Sequence, residues 1–170
     1  AYLKQVAVLS NGESWRLFQE KGTFRKDRLW LSRSNDKGEE IQKVNLEPAE
    51  EIWGNVHLFV DEPNERMWVG YAKTTAHHVY APKVDKFSLQ GVKDWTYQWD
   101  ERGLFFDGCL DKDRDFLIVR DLPSSPYTVP VYSFIEKMAP SGKSERLLDL
   151  DTNLLVDSMV CQSNSIYLGV

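Results

Sequence analysis

Short apolar runs rich in Val, Ile, Leu, Phe, Trp and Tyr alternate along the chain with clusters of Gly, Pro, Asn and Asp, and no long stretch keeps a 3.6-residue period. Such punctuation predicts strands separated by tight turns, and so an all-β fold. Three runs resemble one another: Leu58-Phe59-Val60-Asp61, Leu104-Phe105-Phe106-Asp107 and Leu154-Leu155-Val156-Asp157, spaced by 46 and 50 residues. Each is followed by a polar turn and a second apolar run, at Met67 to Gly70, Phe116 to Val119 and Ile166 to Gly169. A fourth, weaker copy stands at the start, where Val6 to Ser10 meets Trp15 to Phe18 through Asn11-Gly12, a favoured two-residue hairpin turn.

The segments between these hairpins match as well. Each predicts two further strands around a glycine: Arg28 to Arg33 and Glu40 to Leu46 around Gly38; Val79 to Lys83 or Lys86 to Leu89, then Val92 to Asp100, around Gly91; and Val129 to Glu136 and Glu145 to Asp149 around Gly142. The three glycines are 53 and 51 residues apart. A period of four strands in about fifty residues resembles the blade of a β-propeller repeat protein, over nearly the whole chain. The resemblance is of pattern. Trp99-Asp100 is a lone Trp-Asp pair, the Gly-His pair of WD40 blades is missing, and no kelch-type double glycine occurs. It implies one propeller-like domain over 1–170, with three complete four-stranded repeats plus an additional hairpin. The ring is then either four-bladed with a short last blade, part of a larger propeller, or completed by another chain. In each case a free strand edge is left, open to self-association or ring completion.

A chain of 170 residues buries roughly 70% of its unfolded surface without covalent help. Its 42% hydrophobic content excludes a disordered chain. With 21 basic against 26 acidic side chains, a formal −5, it is poorly suited to a phosphate backbone, so no nucleic-acid partner is expected. No apolar run reaches the roughly 18 residues of a membrane helix, and no membrane partner is expected. Cys109 and Cys161 are too few for a disulfide framework and lack metal spacing, so they read as reduced core residues in a cytoplasmic protein.

Asp111, Asp113 and Asp115 alternate in one turn as calcium ligands do, but Phe116 stands where the loop glycine belongs, so a charged turn is the default and no metal is expected. His77 and His78 point to opposite faces of an extended segment, and His57 is remote in sequence. No nucleophile elbow or phosphate loop is present, no cofactor is implied, and no enzyme activity is expected. Asp61, Asp107 and Asp157 recur at the ends of the similar runs. They would ring one end of the axis as turn caps or, in the alternative, as glycan-processing acids with the Trp95, Tyr97 and Trp99 stripe as a sugar platform. That stripe is either packing between blades or a contact surface. The expected function is protein binding, with Glu62, Glu65, Trp95, Tyr97, Trp99 and Tyr127 as contact residues. The acidic balance suggests a basic partner neutralised in the manner of immunity proteins.

Overall fold

A computed structural model describes residues 1–23, 26–46, 52–74, 80–99, 103, 105–123, 130–139, 141–150, 156 and 158–169. Among these, fourteen strands and one short 3-10 turn are formed, so the fold is all-β as the sequence predicts. β1 (Tyr2–Val8), β2 (Ser14–Glu20), β3 (Arg28–Ser34) and β4 (Glu40–Asn45) make one antiparallel meander. β5 (Ile52–Asp61), β6 (Arg66–Thr74), β7 (Tyr80–Ser88) and β8 (Lys93–Gln98) make a second, and β9 (Phe105–Leu110), β10 (Phe116–Pro123), β11 (Pro130–Met138) and β12 (Ser144–Asp149) a third. The last sheet is the hairpin β13 (Ser158–Gln162) and β14 (Ser165–Gly169) alone. The four sheets stay separate among the described residues; no strand pairs one sheet to another.

The outer hairpins turn as their glycines demand. In each, a three-residue loop is closed by two backbone hydrogen bonds, such as Ser88 N to Val92 O at 2.9 Å and Gly91 N to Ser88 O at 3.0 Å. The third loop residue lies in the left-handed region, with φ of 83° at Gly38, 80° at Gly91 and 85° at Gly142. Gly12, at φ 86°, closes the β1–β2 hairpin in the same way, so the loop there has three residues where the Asn-Gly pair predicts two.

Apolar side chains join consecutive sheets. Trp15, Leu17, Leu29 and Leu31 of the first sheet pack on Leu58, Met67, Val69 and Phe87 of the second. Trp68, Val84 and Trp99 pack on Phe116, Ile118 and Met138 of the third, where the rings of Trp68 and Phe116 stack with centroids 5.0 Å apart. Leu117, Val119 and Ile135 then pack on Met159 and Val156. The first strands of neighbouring sheets touch in series, β1 with β5, β5 with β9 and β9 with β13, which sets the sheets in a row about one side.

In the last hairpin β13 pairs with β14, where Ser163, in the left-handed region at φ 53°, lets a two-residue turn pair Gln162 directly with Ser165. Leu104, Leu154, Leu155, Asp157, His77, His78, Tyr127 and Val129 lie outside the described residues.

The expectation of reduced cysteines is corrected. Cys109 of β9 and Cys161 of β13 form a disulfide, with Cα atoms 5.6 Å apart and a sequence separation of 52. Sequence distance misled, because the repeat brings first strands side by side however far apart they are along the chain.

Candidate functional site

β1, β5, β9 and β13 line one open cleft of about 450 Å³, whose walls include Ala7, Leu58, Val60, Leu110, Val160 and the disulfide. Its polar groups are engaged in holding the sheets together. The Gln5 amide bridges to the next sheet, with Nε2 donating to Leu58 O and Oε1 accepting from Leu58 N, both at 2.8 Å. Asp107 repeats the device two interfaces further on, between the third and fourth sheets: its Oδ2 accepts from Met159 N at 2.8 Å and its Oδ1 from Gly108 N at 2.8 Å. Gln5 and Asp107 each stand three residues before the end of their strand, so this is the same position in the repeat.

Asp61 and Asp107 therefore do not hold equivalent positions in their strands. In β5 the tetrapeptide ends at the turn, and Asp61 pairs with Arg66 across the strand ends. In β9, Gly108, Cys109 and Leu110 follow Asp107, which lies opposite Val119 in mid-strand. Asp61 is fully buried; its Oδ2 accepts from Arg66 Nε at 2.9 Å and from Asn64 Nδ2 at 2.8 Å. His57, isolated in sequence, sits with Nδ1 3.4 Å from Asp107 Oδ1, a meeting that only the lateral contact of β5 with β9 creates.

Asp107→Ala should expose the Met159 amide and cost about 1–3 kcal/mol, the penalty of leaving a part-buried donor unmet. Asp107→Asn keeps an acceptor oxygen and should cost less. Urea denaturation of the two variants separates this positioning role from one that needs the charge, in which both would behave alike.

The turn that carries the alternating aspartates is tied by side-chain-to-backbone hydrogen bonds. Asp111 Oδ1 accepts from Asp113 N and Asp115 N, each at 2.9 Å, as Asn35 Oδ1 accepts from Lys37 N and Glu39 N in the first sheet. Asp115 pairs with Lys137, whose ammonium that hydrogen bond holds above the ordinary lysine range. Among the described residues no group of three His, Cys, Asp or Glu converges as metal ligands would.

The aromatic stripe packs between the second and third sheets, with Trp95 and Tyr97 half-buried there. Trp99 is buried at 4% exposure, Tyr97 stands edge-on to it with centroids 4.7 Å apart, and the Trp95 ring lies against Gly142 of the third sheet. Glu62 is also committed internally, its carboxylate accepting from Ser10 N at 2.9 Å and from the Ser10 hydroxyl at 2.5 Å. Glu65 remains exposed.

What stays open are the outer faces and edges of the end sheets. In the first sheet Val6, Val8 and Ile41 are exposed, with Val8 at 73%. In the last, Val160 and Tyr167 form a cross-strand pair, each 57% exposed. No helix of the described residues is long and apolar enough to cross a membrane. No protein-family model matches the chain, and no curated protein matches its sequence.

Proposed function

We propose that the chain is a propeller-type repeat module that binds protein through the open ends of its row of sheets. The observation that carries this reading is the exposure of β14. Its counterparts β2, β6 and β10 are the second strands of complete sheets and lie largely buried, whereas Ser165, Ile166 and Tyr167 of β14 are exposed. An apolar strand with one unpaired edge is a template for another chain. The net charge of −5 favours a partner of opposite sign and would act on the rate of encounter. A cytoplasmic location finds no support in the cysteines, since a disulfide persists chiefly in oxidising compartments.

The test is retention of a stoichiometric protein from native extract by the tagged chain at two salt concentrations. Val160→Asp with Tyr167→Asp should abolish retention, while Val92→Asp, a change at another exposed apolar residue, should leave it intact. Retention unchanged by the double variant, or no protein retained by wild type, contradicts the reading.

A further inference from the structure

A disulfide, a carboxylate and an imidazole meet where the third sheet joins the hairpin of β13 and β14. Asp107 and Cys109 stand two residues apart in β9 and so share a face of the strand. The Asp107 carboxylate grips the backbone on both sides of the Cys109–Cys161 bond. Its Oδ1 accepts from Gly108 N, next to Cys109, and its Oδ2 from Met159 N, two residues before Cys161. His57 Nδ1, 3.4 Å from Oδ1, ties the same carboxylate to β5. Both cysteines are half-buried and border the open cleft, so a small molecule in the cleft reaches the disulfide of the folded chain.

The fold does not require sulfur at this position. Gln5 holds the place of Asp107 in the first sheet, and the residue two further on, the counterpart of Cys109, is Ala7. Ala7 and Val60 pack against the apolar cluster between the first and second sheets, and that junction closes without a covalent bond. Between the third sheet and the last, Leu117, Val119 and Ile135 pack on Met159 and Val156, so the disulfide reinforces a contact that packing also makes. A disulfide that solvent reaches is of the labile kind that exchanges with thiols.

We infer that Cys109–Cys161 is a thiol–disulfide exchange site, reduced and re-formed in the folded chain by low-molecular-weight thiols such as glutathione and by their disulfides. The thiolate of the small thiol attacks one cysteine sulfur. A mixed disulfide forms as the Cys109–Cys161 bond breaks, and the other cysteine leaves as a thiolate that takes a proton from water. A second small thiolate attacks the small thiol's sulfur in the mixed disulfide, which releases the small disulfide and the remaining cysteine thiolate, protonated in turn. Two small thiols are thereby oxidised to one disulfide, and one protein disulfide is reduced to two thiols. The cleft, of about 450 Å³, has the size that holds a small ligand. Asp107 is a positioning residue: its bond to Met159 N outlasts the disulfide and keeps β13 near β9, so the thiols close again when the small disulfide is in excess. The site is independent of protein binding through the sheet edges.

The test uses the full oxidised chain, reduced at rising glutathione concentrations, quenched with N-ethylmaleimide and weighed by mass spectrometry. The reduction rate should rise in proportion to glutathione without a plateau. It should stay within about twofold in sub-denaturing urea, whereas a route through the unfolded chain would quicken about tenfold per molar. Excess glutathione disulfide should restore the Cys109–Cys161 bond within the monomer. Asp107→Ala should shift the exchange equilibrium toward the thiols by about tenfold, Asp107→Asn by less, and Val92→Asp, at an exposed turn residue, not at all. A plateau in rate, or the acceleration by urea, would mean a staple reached only by unfolding and overturns the inference. Reoxidation that stops at mixed disulfides or yields dimers overturns it as well. An exchange equilibrium equal in wild type and Asp107→Ala overturns the role of Asp107.

Discussion

Glu136→Leu should lower the stability of the folded chain by about 3–5 kcal/mol, the cost of stripping a buried charge of its partner. The Arg120 guanidinium, at the centre of the third sheet, donates from Nε to Glu136 Oε2 at 3.0 Å and from Nη2 to Oε1 at 3.1 Å. Both side chains are less than a tenth exposed. The cation lies 4.4 Å from the Phe134 ring centre and 5.0 Å from that of Trp99, so aromatic faces surround it on the side toward the second sheet. Those faces attract a cation, yet they replace neither the hydration lost on burial nor the second charge-assisted hydrogen bond. Arg120→Met combined with Glu136→Leu should restore most of the loss, because a desolvated pair and a packed apolar pair are close in free energy. Chemical denaturation of the two single variants and the double variant measures the coupling. A loss below about 1 kcal/mol for Glu136→Leu, the range of an exposed ion pair, would show that water reaches the pair.

Cys161→Ser should loosen the last hairpin before the rest of the chain. A loop of 52 residues closed by a disulfide is worth about 4 kcal/mol through the restricted unfolded chain. Here the constraint falls on the sheet least able to stand alone. Two strands with few buried side chains, chiefly Met159, have little stability of their own. The variant should melt in two steps or lose β13 and β14 to limited proteolysis while the first three sheets stay resistant. A reducing agent should do the same to the wild-type chain and nothing further to the variant. Because both sulfurs border the open cleft, reduction should not need prior unfolding. Equal resistance of the oxidised and reduced chains would mean that apolar packing on Leu117 and Val119 alone holds the hairpin.

The repeat was legible because its punctuation is local. Gly38, Gly91 and Gly142 announce outer turns whose left-handed third position admits them without strain, and alternation or continuous apolarity marks the strands on either side. Register was not legible from the tetrapeptides. The Leu-Phe-Val-Asp likeness aligns Asp61 with Asp107, yet the turns that follow differ in length, and three more strand residues after Asp107 shift it from the strand end to mid-strand. The position that recurs is held by Gln5 and Asp107, which share only the ability to accept a hydrogen bond from the next sheet's backbone. Chemically unlike residues in one role leave no motif. The same holds for Cys109 with Cys161 and for His57 with Asp107, since each pair is made by sideways contact of strands some fifty residues apart. Between the two readings of the Trp95, Tyr97 and Trp99 stripe, alternation alone gave no decision. Its packing on the third sheet is visible only in the fold, where Gly142 lies against the Trp95 ring.

The claim on which the account turns is that β14 occupies the place of β2, β6 and β10 but lacks the cover they have. Amide hydrogen exchange of the isolated, oxidised chain tests it directly, because exchange reads local opening strand by strand. The account predicts that the amides of β6 and β10 exchange slowly while those on the free edge of β14 exchange at least ~100-fold faster, as expected for the low-stability end of a fold. Protection of β14 equal to that of β6 would mean that its edge is already covered, and would contradict the claim.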